Sequence, residues 1–168
     1  MERIAVFAGS FDPFTVAHLS IARRASLLFN KLIILVSKNT DKYSLFSTEF
    51  RVKQIELTVA DMKNVAVDSF SGLTVDYLKR SGAAYLVRGL RSGSEFDSER
   101  ALALNNRMLF PKAETVFFTT EPEFSSVSSS AVREILKFGG DVSRMIPAAS
   151  LTSLLQEWST LNVRNETF

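Results

Sequence analysis

The stretch IAVFAGSFDPFTVAH, residues 4–18, runs from unbroken apolar sequence through a glycine and an Asp12-Pro13 turn to Ala17, His18 and Leu19, where an apolar helical stripe begins. An apolar run of strand length ended by glycine reads as a β-strand buried on both faces, and Gly9 permits the tight backbone that leaves it. Strand, turn and helix follow in that order. His18 falls in the first helical turn, where free N–H groups and the positive end of the helix dipole suit a phosphate, and the imidazole adds a side-chain donor. It is the only histidine in 168 residues. For an arbitrary lone histidine, packing at a helix end is the plainer reading.

Further β-prone runs lie at 32–37, 65–70, 85–87 and 115–120. Between them come segments with helical spacing: Leu19, Ala22, Ala25, Leu28 and Phe29 share one stripe, and Val52, Ile55 and Val59 share the next. Parallel neighbours need long crossovers, and the crossovers become covering layers. The expected fold is therefore α/β: a doubly wound, parallel five-stranded sheet in a single domain over residues 1–158, with a tail, 159–168, that carries no signal. In such folds ligands bind beyond the carboxyl ends of the strands, where the winding direction reverses. That rule selects residues 9–18, 37–42, 71–74, 88–91 and 121–130.

Composition narrows the chemistry. Twenty basic and eighteen acidic side chains leave a net charge of +2, so no basic stripe marks a nucleic-acid binder. Without cysteine there is no disulfide framework, thiolate metal site or cysteine nucleophile, which fits a reducing compartment. The apolar stretch near the amino terminus is too short for a secretory signal or a membrane span, so a cytoplasmic protein with no membrane partner is expected.

The motif GSFDPFTVAH resembles the GxFDPxTxGH signature of the nucleotidylyltransferase superfamily, and Lys42, RGLRS at 88–92, Glu99, Asn106 and FSSVSSS at 124–130 stand in the order and spacing of its phosphopantetheine adenylyltransferase family. The similarity extends to about Trp158. RGLR is the feature that separates this branch from relatives acting on other acceptors. Ala17 replaces the glycine usual before the motif histidine, and its methyl could crowd a backbone that lies against the nucleotide. The resemblance implies a Rossmann-like fold and transfer of the adenylyl group of ATP to 4′-phosphopantetheine, giving dephospho-coenzyme A and pyrophosphate. A phosphate monoester has a second pKa of about 6, so the nucleophile is already mostly ionised at neutral pH and no general base is required. The site must supply alignment, cations and donors.

The resemblance also implies individual roles. His18, Lys42 and Arg91 form the catalytic set, with His18 donating to an α-phosphoryl oxygen in either protonation state. ATP is assigned to Ser10, Phe11, His18, Gly89, Leu90, Arg91 and Glu99, together with Phe124, Ser125, Ser126, Val127, Ser128, Ser129 and Ser130. Ser10, Lys42, Thr74, Arg88 and Asn106 are assigned to the phosphopantetheine side. Plainer readings stand beside these: a solvated loop lysine for Lys42, a surface salt bridge to Asp97 or Glu99 for the arginines, and helix capping for Ser128. Glu99, Ala103 and Asn106 share one helix face that should look into the cleft. Asp12 is expected to bond nearby loop N–H groups rather than a metal. Mg²⁺ is expected to arrive with ATP, with no protein ligand. A homohexamer restrained by coenzyme A is implied by resemblance alone. The competing readings are a nucleotidylyltransferase for another phosphorylated acceptor and a nucleotide-binding regulator without turnover.

Overall fold

A computed structural model describes residues 2–38 and 44–165, with side chains through residue 162. Lys42 lies outside the described residues.

The apolar runs form β1 (Ile4–Gly9), β2 (Lys31–Lys38), β3 (Val65–Ser71), β4 (Tyr85–Leu90) and β5 (Glu114–Thr119). They pair in parallel in the order β3-β2-β1-β4-β5. The crossovers are α1 (Val16–Leu28), α2 (Thr48–Thr58), α3 (Thr74–Ser81) and α4 (Phe96–Leu109). Two more helices follow, α5 (Ser129–Lys137) and α6 (Ala148–Asn165). From β1 the chain winds outward to β2 and β3, then returns to the other side of β1 for β4 and β5. The reversal lies between β1 and β4, whose carboxyl ends carry the Gly9 loop and the Arg88 segment.

Alternate residues of β1 feed opposite cores, as the two-residue period of a strand requires. Ala5 and Phe7 pack with Ala22, Ala25 and Ile34, whereas Val6 and Ala8 pack with Leu35, Tyr77 and Leu78. A third cluster joins Phe46 to Val132, Ile146 and Leu154, tying α5 and α6 to the segment before α2.

Four sequence expectations differ from the structure. β4 continues past Val87 to Leu90, with Arg88, Gly89 and Leu90 opposite Phe117, Phe118 and Thr119. The apolar pattern stops at Val87 because the next side chain turns into a cleft instead of a core. The edge strands β3 and β5 are mostly half-buried, because each has a neighbour on one side only. Leu28, counted in the apolar stripe of α1, stands 51% exposed at the helix end. The expected break after Trp158 falls inside α6, which is continuous from Ala148 to Asn165. Among the described residues no helix is long and apolar enough to cross a membrane.

Candidate active site

At the winding reversal lies a cleft of about 450 Å³, lined among others by His18, Arg88, Arg91, Glu99, Ser129 and Arg133. The first turns of α1 and α5 both meet it, so two helix starts supply N–H donors and positive dipole ends to one space.

His18 is the third residue of α1. Thr15 caps the helix, and a reciprocal box forms in which the Thr15 N–H donates to His18 Nδ1 at 3.0 Å. An Nδ1 that accepts leaves the proton on Nε2, so the ring lines the cleft as a donor. Phe11 and Phe14 rings lie 5.1 and 5.4 Å from the imidazole, centroid to centroid. Burial, reinforced by the Arg91 and Arg88 charges, pushes the imidazole down to about 4. At that value the imidazole is neutral at pH 7.

The loop between β1 and α1 is fastened from three sides. Arg51, buried on α2, donates to the Ser10 carbonyl at 2.6 Å. Gln54, one helical turn on, accepts from the Phe14 N–H at 3.0 Å and donates to the Phe14 carbonyl at 3.1 Å. From α5, Ser129 donates to the Pro13 carbonyl at 2.8 Å and Arg133 donates to that of Asp12. The Val16 N–H donates to the Met145 carbonyl at 2.9 Å. These contacts hold Phe11 at φ +47°, a conformation that costs an L residue about 1–2 kcal/mol. Gly9 makes room for its ring: a Cβ there would stand 2.9 Å from two Phe11 ring carbons.

Asp12 departs from its expected role. Its carboxylate accepts from the Leu45 and Phe46 N–H groups at 2.8 and 2.9 Å, so it bonds a segment more than thirty residues away instead of its own loop. Nearly full burial explains the choice, since a buried carboxylate requires donors on both oxygens and its own turn is occupied elsewhere.

The arginines meet carboxylates. Arg88 places Nε and Nη2 on the two oxygens of Glu99, both at 2.7 Å, and its Nη1 donates to the Ala8 carbonyl at 2.9 Å. Glu99, assigned to the nucleotide from the sequence, therefore grips Arg88. Arg91 pairs with Glu95, not with Asp97 or Glu99, and its N–H donates to the same carboxylate at 2.8 Å. Burial raises Glu95, but the N–H and guanidinium of Arg91 outweigh it and hold the acid below its ordinary value.

Ser10, Phe11, Gly89, Val127, Ser128, Ser129 and Ser130 also line the cleft. Leu90, Thr74, Asn106, Phe124, Ser125 and Ser126 are not among its lining residues. Asn106 shares the inward face of α4 with Glu99 but sits two turns further from the sheet edge, and Thr74 opens α3. Ser128 caps α5 by accepting from the Ala131 N–H at 3.1 Å. Sequence reasoning missed Glu95 and Arg133 as site residues. Arg133 could have been suspected as a cation one turn after a serine-rich helix start.

Among the described residues no group of three or more His, Asp and Glu side chains could hold a metal ion. The cleft carboxylates, Asp12, Glu95 and Glu99, are each occupied by N–H or guanidinium donors. This donor set fits anions.

The cytidylyltransferase-like family model matches residues 6–135. A phosphopantetheine adenylyltransferase from Synechococcus sp. (strain JA-2-3B'a(2-13)) is 48% identical over 92% of this chain and 98% of its own length. One from Limosilactobacillus reuteri is 43% identical over 98% and 96%. Among solved structures, a putative nicotinate-nucleotide adenylyltransferase from Vibrio parahaemolyticus superposes with a TM-score of 0.70 at 18% identity, covering 94% of each chain. At that identity the match speaks to the fold alone.

Proposed function

We infer the reaction from one premise: the chain belongs to the phosphopantetheine adenylyltransferase family. It transfers the adenylyl group of ATP to 4′-phosphopantetheine in coenzyme A biosynthesis, releasing dephospho-coenzyme A and pyrophosphate. One observation carries the mechanistic reading: the only histidine, its Nδ1 taken by the Thr15 N–H, lines a cleft shared with Arg88 and Arg91.

An oxygen of the phosphopantetheine phosphate attacks the α-phosphorus of ATP. A new phosphoanhydride bond forms, the bond from the α-phosphorus to the bridging oxygen breaks, and pyrophosphate leaves with that electron pair. The attacking oxygen is ionised above the second phosphate pKa of about 6, so no side chain removes a proton. His18 donates from Nε2 to an α-phosphoryl oxygen, where charge changes in the transition state. The pinned loop keeps that donor in place, so little reorganisation accompanies the chemical step.

Lys42 and Ser10 take the phosphopantetheine phosphate, and Thr74 and Asn106 the far end of its arm. Gly89, Leu90 and Arg91 hold ATP with the segment 124–130. Arg88 meets its phosphate with the guanidinium already on Glu99. Binding therefore exchanges one anion for another and frees the Glu99 carboxylate toward the ribose or adenine. Mg²⁺ accompanies ATP as part of the substrate and needs no cleft carboxylate as a ligand. We assign the protein to the cytoplasm and to a homohexamer restrained by coenzyme A. The exposed Leu102, Leu104, Met108 and Leu109 of α4 support self-association, which light scattering tests.

Incubation with MgATP and a panel of phosphorylated acceptors tests the reading. Pyrophosphate should appear with 4′-phosphopantetheine and be absent without it. Release driven equally by nicotinamide mononucleotide would overturn the acceptor assignment.

A further inference from the structure

Gln54 is wholly buried on α2, forty residues from the loop it serves. A buried carboxamide has to satisfy both its ends, and this one does so on a single residue, Phe14. The consequence lies in the next bond of the chain. The Phe14 carbonyl and the Thr15 N–H belong to one planar peptide unit. Gln54 Nε2 donates to the carbonyl end at 3.1 Å, and the N–H end donates to His18 Nδ1 at 3.0 Å. Fixing one end of a rigid plane fixes the direction of the other.

The geometry points to Gln54 as a positioning residue that sets the ring orientation and tautomer of His18 through the Phe14–Thr15 peptide. A donor on the carbonyl polarises the peptide and strengthens its N–H as a donor, because successive hydrogen bonds reinforce one another. A stronger donor at Nδ1 keeps the imidazole proton on Nε2, the nitrogen that the reaction needs. Gln54 touches no reacting atom and is not catalytic. Its own helix is held from behind by Thr58, which donates to the Gln54 carbonyl at 2.8 Å and lies 3.0 Å from Ser150 of α6.

This inference rests on the reading of His18 as the phosphoryl donor, so its primary test is made without substrate. Labelling histidine with ¹⁵N gives one residue's signals, because the chain has one histidine. At neutral pH the wild type should show a single neutral tautomer with Nε2 protonated. Gln54→Met removes both partners of Phe14 and should populate the Nδ1-protonated form. It should also lower kcat by up to about a hundredfold, the effect of a small misplacement of a catalytic group, with the KM for ATP little changed. Leu154→Ala, a change of similar depth in the separate cluster on α6, should lower stability and leave the tautomer and kcat as in the wild type.

If Gln54→Met does not fold, Gln54→Leu replaces it. Its apolar side chain also gives the Phe14 N–H no acceptor and the carbonyl no donor, and the same changes are expected. A wild type with Nδ1 protonated, or a Gln54 variant whose tautomer matches the wild type, would overturn the positioning role. A shifted tautomer with unchanged kcat would uphold the positioning role and overturn the catalytic reading of His18.

Discussion

Lowering the pH perturbs His18 selectively enough to be followed. Its imidazole titrates at about 4 in the folded chain, against 6.5 as the ordinary value, because burial and the Arg91 and Arg88 charges disfavour the cation. Between these values the unfolded chain binds a proton that the native state refuses. Stability from this group is therefore full above 6.5 and is lost as the pH falls toward 4. At about 1.4 kcal/mol per pH unit, the loss amounts to about 3 kcal/mol. Other groups titrate in this window, so the assay is the difference in urea unfolding free energy between the wild type and His18→Asn. That difference should shift by about 3 kcal/mol against the wild type from pH 7 to pH 4. An NMR titration of the single imidazole checks the cause directly. A midpoint near 6.5, or a pH-independent difference between the two proteins, would refute the burial and charge reasoning.

Further outcomes follow from the same geometry. A Cβ at Gly89 would stand 2.4 Å from Ile21 Cδ1, so Gly89→Ala should cost about 1–3 kcal/mol by overpacking, and adding Ile21→Val, which deletes that methyl, should restore most of it in thermal unfolding. Ser128→Ala removes the acceptor that caps α5 and should cost about 1 kcal/mol, read as a fall in Tm of about 2–4 °C. Arg88→Lys keeps the charge but offers the acceptor phosphate no two-point fork, so the KM for phosphopantetheine should rise about tenfold or more, and the lost part-buried bonds to Glu99 and the Ala8 carbonyl should lower Tm. Because the histidine titrates well below it, the acid limb of the kcat/KM profile for phosphopantetheine should follow the free acceptor phosphate near a pKa of about 6.

The sheet was legible because its central strands are continuous apolar runs, and the order of runs and stripes fixed a parallel, doubly wound arrangement. The helix start and the placement of His18 in its first turn followed from local chemistry that a short motif carries, whereas the Thr15 cap emerged from the structure. The inward stripe of α4 was also legible, since Glu99, Ala103 and Asn106 are half-buried on a helix whose other residues mostly face solvent. What sequence could not show were long-range choices. Arg51 and Gln54 belong to no motif, yet both are buried and reach across to the first loop. Asp12 found its donors at Leu45 and Phe46, and Arg91 found Glu95 where Asp97 or Glu99 stood as candidates. Each is a choice among several partners that only the packed chain makes.

Single-turnover pyrophosphate release by His18→Asn, with MgATP and 4′-phosphopantetheine, tests the role of the imidazole most directly. Asparagine can still accept from the Thr15 N–H but offers no donor at the Nε2 position. The rate should fall about a hundred- to a thousandfold, with the KM for ATP within a few-fold of the wild type. A variant that turns over at the wild-type rate, or one that loses only affinity, would contradict a histidine that acts by holding charge in the transition state.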